Sequence, residues 1–165
     1  MNMLSEARKK RTEISSIELA QTLVNELVRK VSVDTAGAAK DFLIDATHAP
    51  GFEDKMRLYQ LAVLLTAILN EERVTPQYVA VRKSIEDSFF STSSDPNELL
   101  LRQVQFAMQD LGDLFGQKKE MSWALKWLAE TGIHEANPAK LTLFASHWLG
   151  YYEAASKSLQ QLKPV

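Results

Sequence analysis

The sequence predicts an all-α fold, a compact bundle of about seven helices with the third at its centre. Three observations predict it. Apolar residues recur at helical spacing along most of the chain, and no run alternates with a period of two. The dipeptides Thr75-Pro76, Asp95-Pro96 and Asn137-Pro138 each set a side-chain oxygen before a proline, which suits a helix's first position because the N–H it lacks would be unused there. At 165 residues and 45% apolar content, the chain has material for one sizeable core and too little for two full domains.

Residues 1–14, with Arg8, Lys9, Lys10 and Arg11 clustered, are expected as a flexible basic arm, and residues 15–165 as a single helical domain. Ser15 and Glu18 form a capping box for the first helix, about residues 16–30, with Ile17, Ala20, Val24, Leu27, Val28 and Val31 on one stripe. The second, about 35–47, is rich in alanine and ends before Pro50-Gly51. The third, about 53–72, is apolar on every side through Leu61, Val63, Leu64, Leu65, Ala67, Ile68 and Leu69, which suits only a helix surrounded by others. The fourth follows Pro76 to about residue 89 and turns Tyr78, Val81, Ile85 and Phe89 inward. The fifth opens with an Asp95–Glu98 capping box and runs to about residue 115 with Leu100, Leu101, Val104, Ala107, Met108, Leu111 and Phe115 on one face. The sixth, about 118–131, stops at Gly132, a residue suited to a left-handed C-terminal turn. The seventh runs from Pro138 to about residue 162 and carries Leu141, Phe144, Trp148, Tyr152, Ala155, Leu159 and Leu162 as its large stripe. Helix starts near Ser15, Phe52, Asp95 and Asn137 are spaced by roughly 40 residues, but the residues do not repeat with the spacing, so a bundle is preferred to a repeat array.

Several chemistries find no support. Charged residues make up 24% of the chain and the net charge is −2, which argues against a nucleic-acid binder. There is no cysteine, which removes disulfides, thiol nucleophiles and Cys-ligated metals and suits a reducing, cytoplasmic setting. The longest apolar run, residues 61–69 interrupted by Thr66, falls short of the roughly 20 residues of a membrane span, and the polar N-terminus lacks a signal-peptide core. Among His48, His134 and His147, only His48 has a carboxylate, Asp45, at helical ligand spacing, and one pair does not hold a metal. No serine sits in a nucleophile-elbow motif, and no glycine-rich phosphate loop can be drawn. Residues 31–36 have a turn-like spacing, but Lys30 and Asn25-Glu26 do not fit a helix-turn-helix. Asp110 and Asp113, like Glu71-Glu72 and Glu86-Asp87, read as solvated faces. The expectation is therefore no catalytic residue, no cofactor and no metal.

The most specific feature lies in the last helix, where Ser146, Gly150, Ala154 and Ser158 recur every four residues and form a shallow row for the close approach of another helix. Either an internal neighbour or a partner can fill it. Phe106, Phe90 and Trp123 point away from their helices' main stripes and complete the candidate interaction surface. The expected function is a non-enzymatic helical interaction or regulatory module that binds another protein or a second copy of itself. The alternative is a small-molecule sensor or carrier with an interhelical pocket lined by Met56, Leu64, Met108, Phe115 and Trp127.

Overall fold

At the middle of the fold is a helix enclosed on every side over residues 61–65, though Leu69, counted in its all-round apolar surface, is 37% exposed. In the computed structural model, which describes residues 11–26, 51–90, 95–117 and 119–165, the elements run β1 (Thr12–Ile14), α1 (16–26), α2 (Phe52–Glu72), α3 (Tyr78–Phe90), α4 (Asp95–Gln117), α5 (Glu120–Glu130), α6 (Pro138–Gln160) and β2 (Leu162–Pro164). The fold is all-α as expected, with six helices among the described residues. The expected helix over 35–47 and the first helix beyond residue 26 lie outside them. In α2 the residues Leu61 to Leu65 are buried without a break. At about 100° per residue, five successive positions circle the helix, so neighbours are needed on every side. The helices α3, α4 and α6 supply them, and α5 packs on α6. Each fully buried Leu, Val or Phe contributes about 1.5–3 kcal/mol, so this helix anchors the core.

The local signals act much as the sequence implies. Asn137 caps α6, its side chain accepting from the N–H groups of Ala139 (2.9 Å) and Lys140 (3.4 Å) with Pro138 in the first turn. Beyond α5, Gly132 adopts φ +87°. Its N–H donates to the Ala129 carbonyl at 3.0 Å and that of Ile133 to the Leu128 carbonyl at 2.9 Å, the paired bonds of a Schellman turn. Thr75 departs from the pattern. Its hydroxyl accepts from Arg11 Nη1 at 2.8 Å, and α3 begins only at Tyr78 after a tight turn in which the Tyr78 N–H reaches the Thr75 carbonyl at 3.1 Å. The helix α4 starts at Asp95; the side chains of Asp95 and Glu98 lie outside what is described.

Two predicted stripes shift. Ile17 is 73% exposed, and α1 instead buries Leu19 and Ala20 and half-buries Leu23 and Val24. In α4 the buried face holds Val104, Ala107, Leu111 and Leu114, while Leu101 stands exposed at its margin. Both pairs of alternatives satisfy helical spacing, and the rotation actually adopted is set by the neighbours.

A short parallel sheet, which the sequence did not announce, ties the two ends of the chain. Thr12, Glu13 and Ile14 pair with Leu162, Lys163 and Pro164. The Thr12 N–H donates to the Gln161 carbonyl (2.9 Å), the Val165 N–H to the Ile14 carbonyl (2.8 Å), and the Ser16 N–H to the Val165 carbonyl (3.0 Å). The Tyr78 hydroxyl approaches the Leu159 carbonyl and, at 3.2 Å, that of Leu162. Residues 11–14, read from the sequence as part of the basic arm, are thus built into the fold; residues 1–10 lie outside the described ones. Arg11 Nη1 stands 2.7 Å from Glu71 Oε1, a close ion pair without the alignment of a hydrogen bond, and both side chains are only 8% exposed. Glu71 and Glu72 are accordingly not the solvated face expected of them: Glu72 pairs with Arg82, which also donates to Glu86 at 3.0 Å. The strands escaped notice because three residues are too few to show a period of two.

Candidate functional site

A cleft of about 940 Å³ opens between the first half of α2, the end of α3, the first half of α4 and the last residue of α5. Leu58, Leu61, Phe89, Leu100 and Phe106 make it apolar. Phe89 and Leu100 point inward as the sequence predicts, yet both are only half-buried because the cleft opens beside them. On α4, Arg102, Gln103 and Phe106 lie within four positions of one another and so share a face. Leu99, seven residues before Phe106, extends that face beyond the cleft. Phe106 is 61% exposed and Leu99 56%, with the polar Arg102 and Gln103 between them on that face.

The charges are unevenly engaged. Lys55 Nζ donates to Glu130 Oε2 at 2.7 Å and to the Trp127 carbonyl at 3.0 Å, and lies 4.5 Å from the centre of the Trp127 ring. Arg57 is held loosely, 3.7 Å from Glu53, with both side chains about half exposed. Arg102 is exposed and makes no ion pair among the described residues. Asp54 is the remaining acid of the lining. Below them Tyr59 is buried and donates to Asp110 Oδ2 at 2.6 Å. Burial first, then the hydrogen bond and charge of Asp110, raise its phenol well above the ordinary range, so it is a fixed donor and not an acid or nucleophile. Asp110 is therefore engaged by the core and is not the wholly solvated carboxylate expected, whereas Asp113 is exposed.

The candidate interaction residues separate in space. Phe106 lines the large cleft. Trp123 is half-buried, its ring 6.2 Å from that of Tyr59, within an aromatic cluster of Phe52, Tyr59, Trp127, Phe144 and Trp148. Phe90 closes α3, and its side chain lies outside the described residues. Ser146, Gly150, Ala154 and Ser158 all lie on the exposed face of α6, and a Cβ added at Gly150 meets nothing within 4 Å. Only Ala154 and Ser158 border a second, smaller hollow of about 280 Å³, shared with Leu19 and Leu23 of α1. The row is not filled along its length by another described helix.

Compared with known proteins, the chain matches no family model, no curated protein and no solved structure. His134 is exposed, His147 lies edge-on to Trp148 with ring centres 5.3 Å apart, and His48 falls outside the described residues. Of the residues named for a carrier pocket, Met56, Leu64 and Trp127 are buried in the core and Met108 and Phe115 pack against it; none lines the large cleft. Sequence reasoning found Phe106 but missed Leu58 and Arg102. The signal that points to Arg102 is its place four residues before an off-stripe aromatic.

Proposed function

We propose that this chain is a non-enzymatic interaction module that binds another protein through the cleft between α2, α3 and α4. The observation that supports the reading is Phe106, a large aromatic left 61% exposed at the edge of an apolar cleft. Burying the part of this ring that water now covers is worth about 1–2 kcal/mol, and aromatic anchors of this kind dominate interface energies. The proposal takes a reducing, cytoplasmic setting, which a chain without cysteine suits, and a protein in preference to nucleic acid as the partner, which a net charge of −2 suits. No described helix is long and apolar enough to cross a membrane.

A photoreactive phenylalanine analogue at position 106, in the protein expressed in its own cells, tests this. One discrete protein adduct is expected from position 106 and none from position 113, an exposed site on the same helix outside the cleft lining. An adduct of twice the chain's mass would assign the cleft to a second copy. No adduct, or the same adducts from both positions, counts against the reading.

A further inference from the structure

We infer that the cleft receives an amphipathic α-helix of about three turns from the partner, with carboxylates flanking its apolar anchors. This rests on the reading of the cleft as a protein-binding site and specifies what it binds.

Size is the first argument. Gly51 to Leu61 marks the cleft's run along α2, which at 1.5 Å per residue is about 15 Å, the length of about ten helical residues. A cylinder about 15 Å long and about 10 Å wide encloses about 1,200 Å³. The cleft's 940 Å³ is of the same order, and its open side would leave one face of a seated helix in solvent. A small-molecule pocket instead encloses most of its ligand. Here Phe106 at the rim and Leu99 one heptad away both stand exposed on one face of α4, with Arg102 and Gln103 between them. An elongated partner with an apolar stripe covers such a surface; a compact ligand inside the cleft leaves Leu99 in water.

Charge is the second. Lys55 is already held by Glu130 and by the Trp127 ring and carbonyl. Arg57 stands 3.7 Å from Glu53, which leaves Arg102 as the cation of the lining without an ion pair among the described residues. Arg102 sits one turn before Phe106, so a partner side chain packed on the ring has its neighbours within reach of the guanidinium. Exposed ion pairs add little affinity, but they set orientation and discriminate between partners. A helix with Glu or Asp beside its anchors is accepted in one direction, and a basic helix is disfavoured.

The test is a displayed library of helical peptides about three to four turns long, with apolar residues fixed at i, i+3, i+4 and i+7 and flanking positions drawn from Glu, Lys, Gln and Ser, selected on the full chain. Selected peptides should be enriched in Glu beside the anchors. Their binding, read by fluorescence anisotropy, should weaken by roughly tenfold or more with Phe106→Asp and by a smaller factor with Arg102→Glu. A Lys-for-Glu peptide should bind Arg102→Glu better than wild type. Both positions are exposed, and circular dichroism melts of the variants confirm that they fold. An absence of binders, enrichment of Lys, or indifference to Phe106→Asp overturns the inference. If selection fails while the photoreactive group at position 106 still captures one cellular protein, the helical partner is refuted and the interaction module stands. If Glu-flanked peptides bind but cells yield no adduct, the cleft's preference stands and the cellular role falls.

Discussion

Replacing Gly150 with alanine is expected to stabilise the protein, although the regular row it belongs to invites the opposite guess. Gly150 lies in the interior of α6, on the exposed face, and Gly132 is the only described glycine with positive φ, so alanine meets no backbone strain at 150. A new Cβ meets nothing within 4 Å among the described atoms. What remains is the conformational freedom glycine loses on folding, about 0.5–1 kcal/mol relative to alanine in a helix interior. Gly112, inside α4, is exposed with the same empty surroundings and serves as the internal control. The two changes are independent, so together they should add about 1–2 kcal/mol. For a chain of this size each kcal/mol moves Tm by about 2–4 °C, giving a rise of about 2–8 °C for the double variant. Thermal melts and urea titrations at two protein concentrations measure it. If Gly150→Ala is neutral or destabilising while Gly112→Ala stabilises, something lies against Gly150 and the open-row reasoning is wrong. A loss that grows with protein concentration would identify that something as another copy of the chain.

Arg11→Met leaves Glu71 buried without its counter-charge and should cost about 3 kcal/mol in urea unfolding, whereas Arg11→Met with Glu71→Leu should recover most of the loss; a single variant within about 0.5 kcal/mol of wild type would show that the pair does not secure the terminal clasp. Burial, ahead of any charge effect, raises the phenols of Tyr59 and Tyr78 above their usual range, so each stays protonated in the folded chain after its unfolded counterpart has ionised. The stability this gives is complete below about pH 10 and is lost as pH rises beyond it, by at most about 1.4 kcal/mol per pH unit for each phenol. The part of the phenolate absorbance that Tyr59→Phe and Tyr78→Phe remove should therefore appear together with unfolding, the same variants should flatten the alkaline decline, and stability that is level to about pH 11 would refute it. Gly132→Ala forces a side chain into the φ +87° turn after α5 and should cost about 1–2 kcal/mol in a thermal melt, with no loss meaning that the turn rearranges freely.

Much of the scaffold is legible in the sequence because its causes are local. Asn137-Pro138 starts α6 and Gly132 ends the turn after α5 through groups a few residues apart. The central place of α2 is legible too, since a helix apolar all round is unstable anywhere else. The candidate site is legible only in part: Phe106 shows itself by facing away from its own stripe, but nothing in the sequence joins it to Leu58, Phe89 and Arg102.

The amino-acid order alone therefore determined that the chain is helical, where most helices begin or end, and which of them is enclosed. Tertiary packing decided that α1 buries Leu19 rather than Ile17, that Glu71 meets Arg11 in the interior, that the chain's two ends pair as strands, and that the small-residue row of α6 faces outward. Capping and periodicity act over one turn of backbone, whereas a helix's rotation, a buried ion pair and a cleft depend on segments far apart in the chain. A cleft in particular is a place where neighbouring helices stop touching, and only their mutual placement creates it.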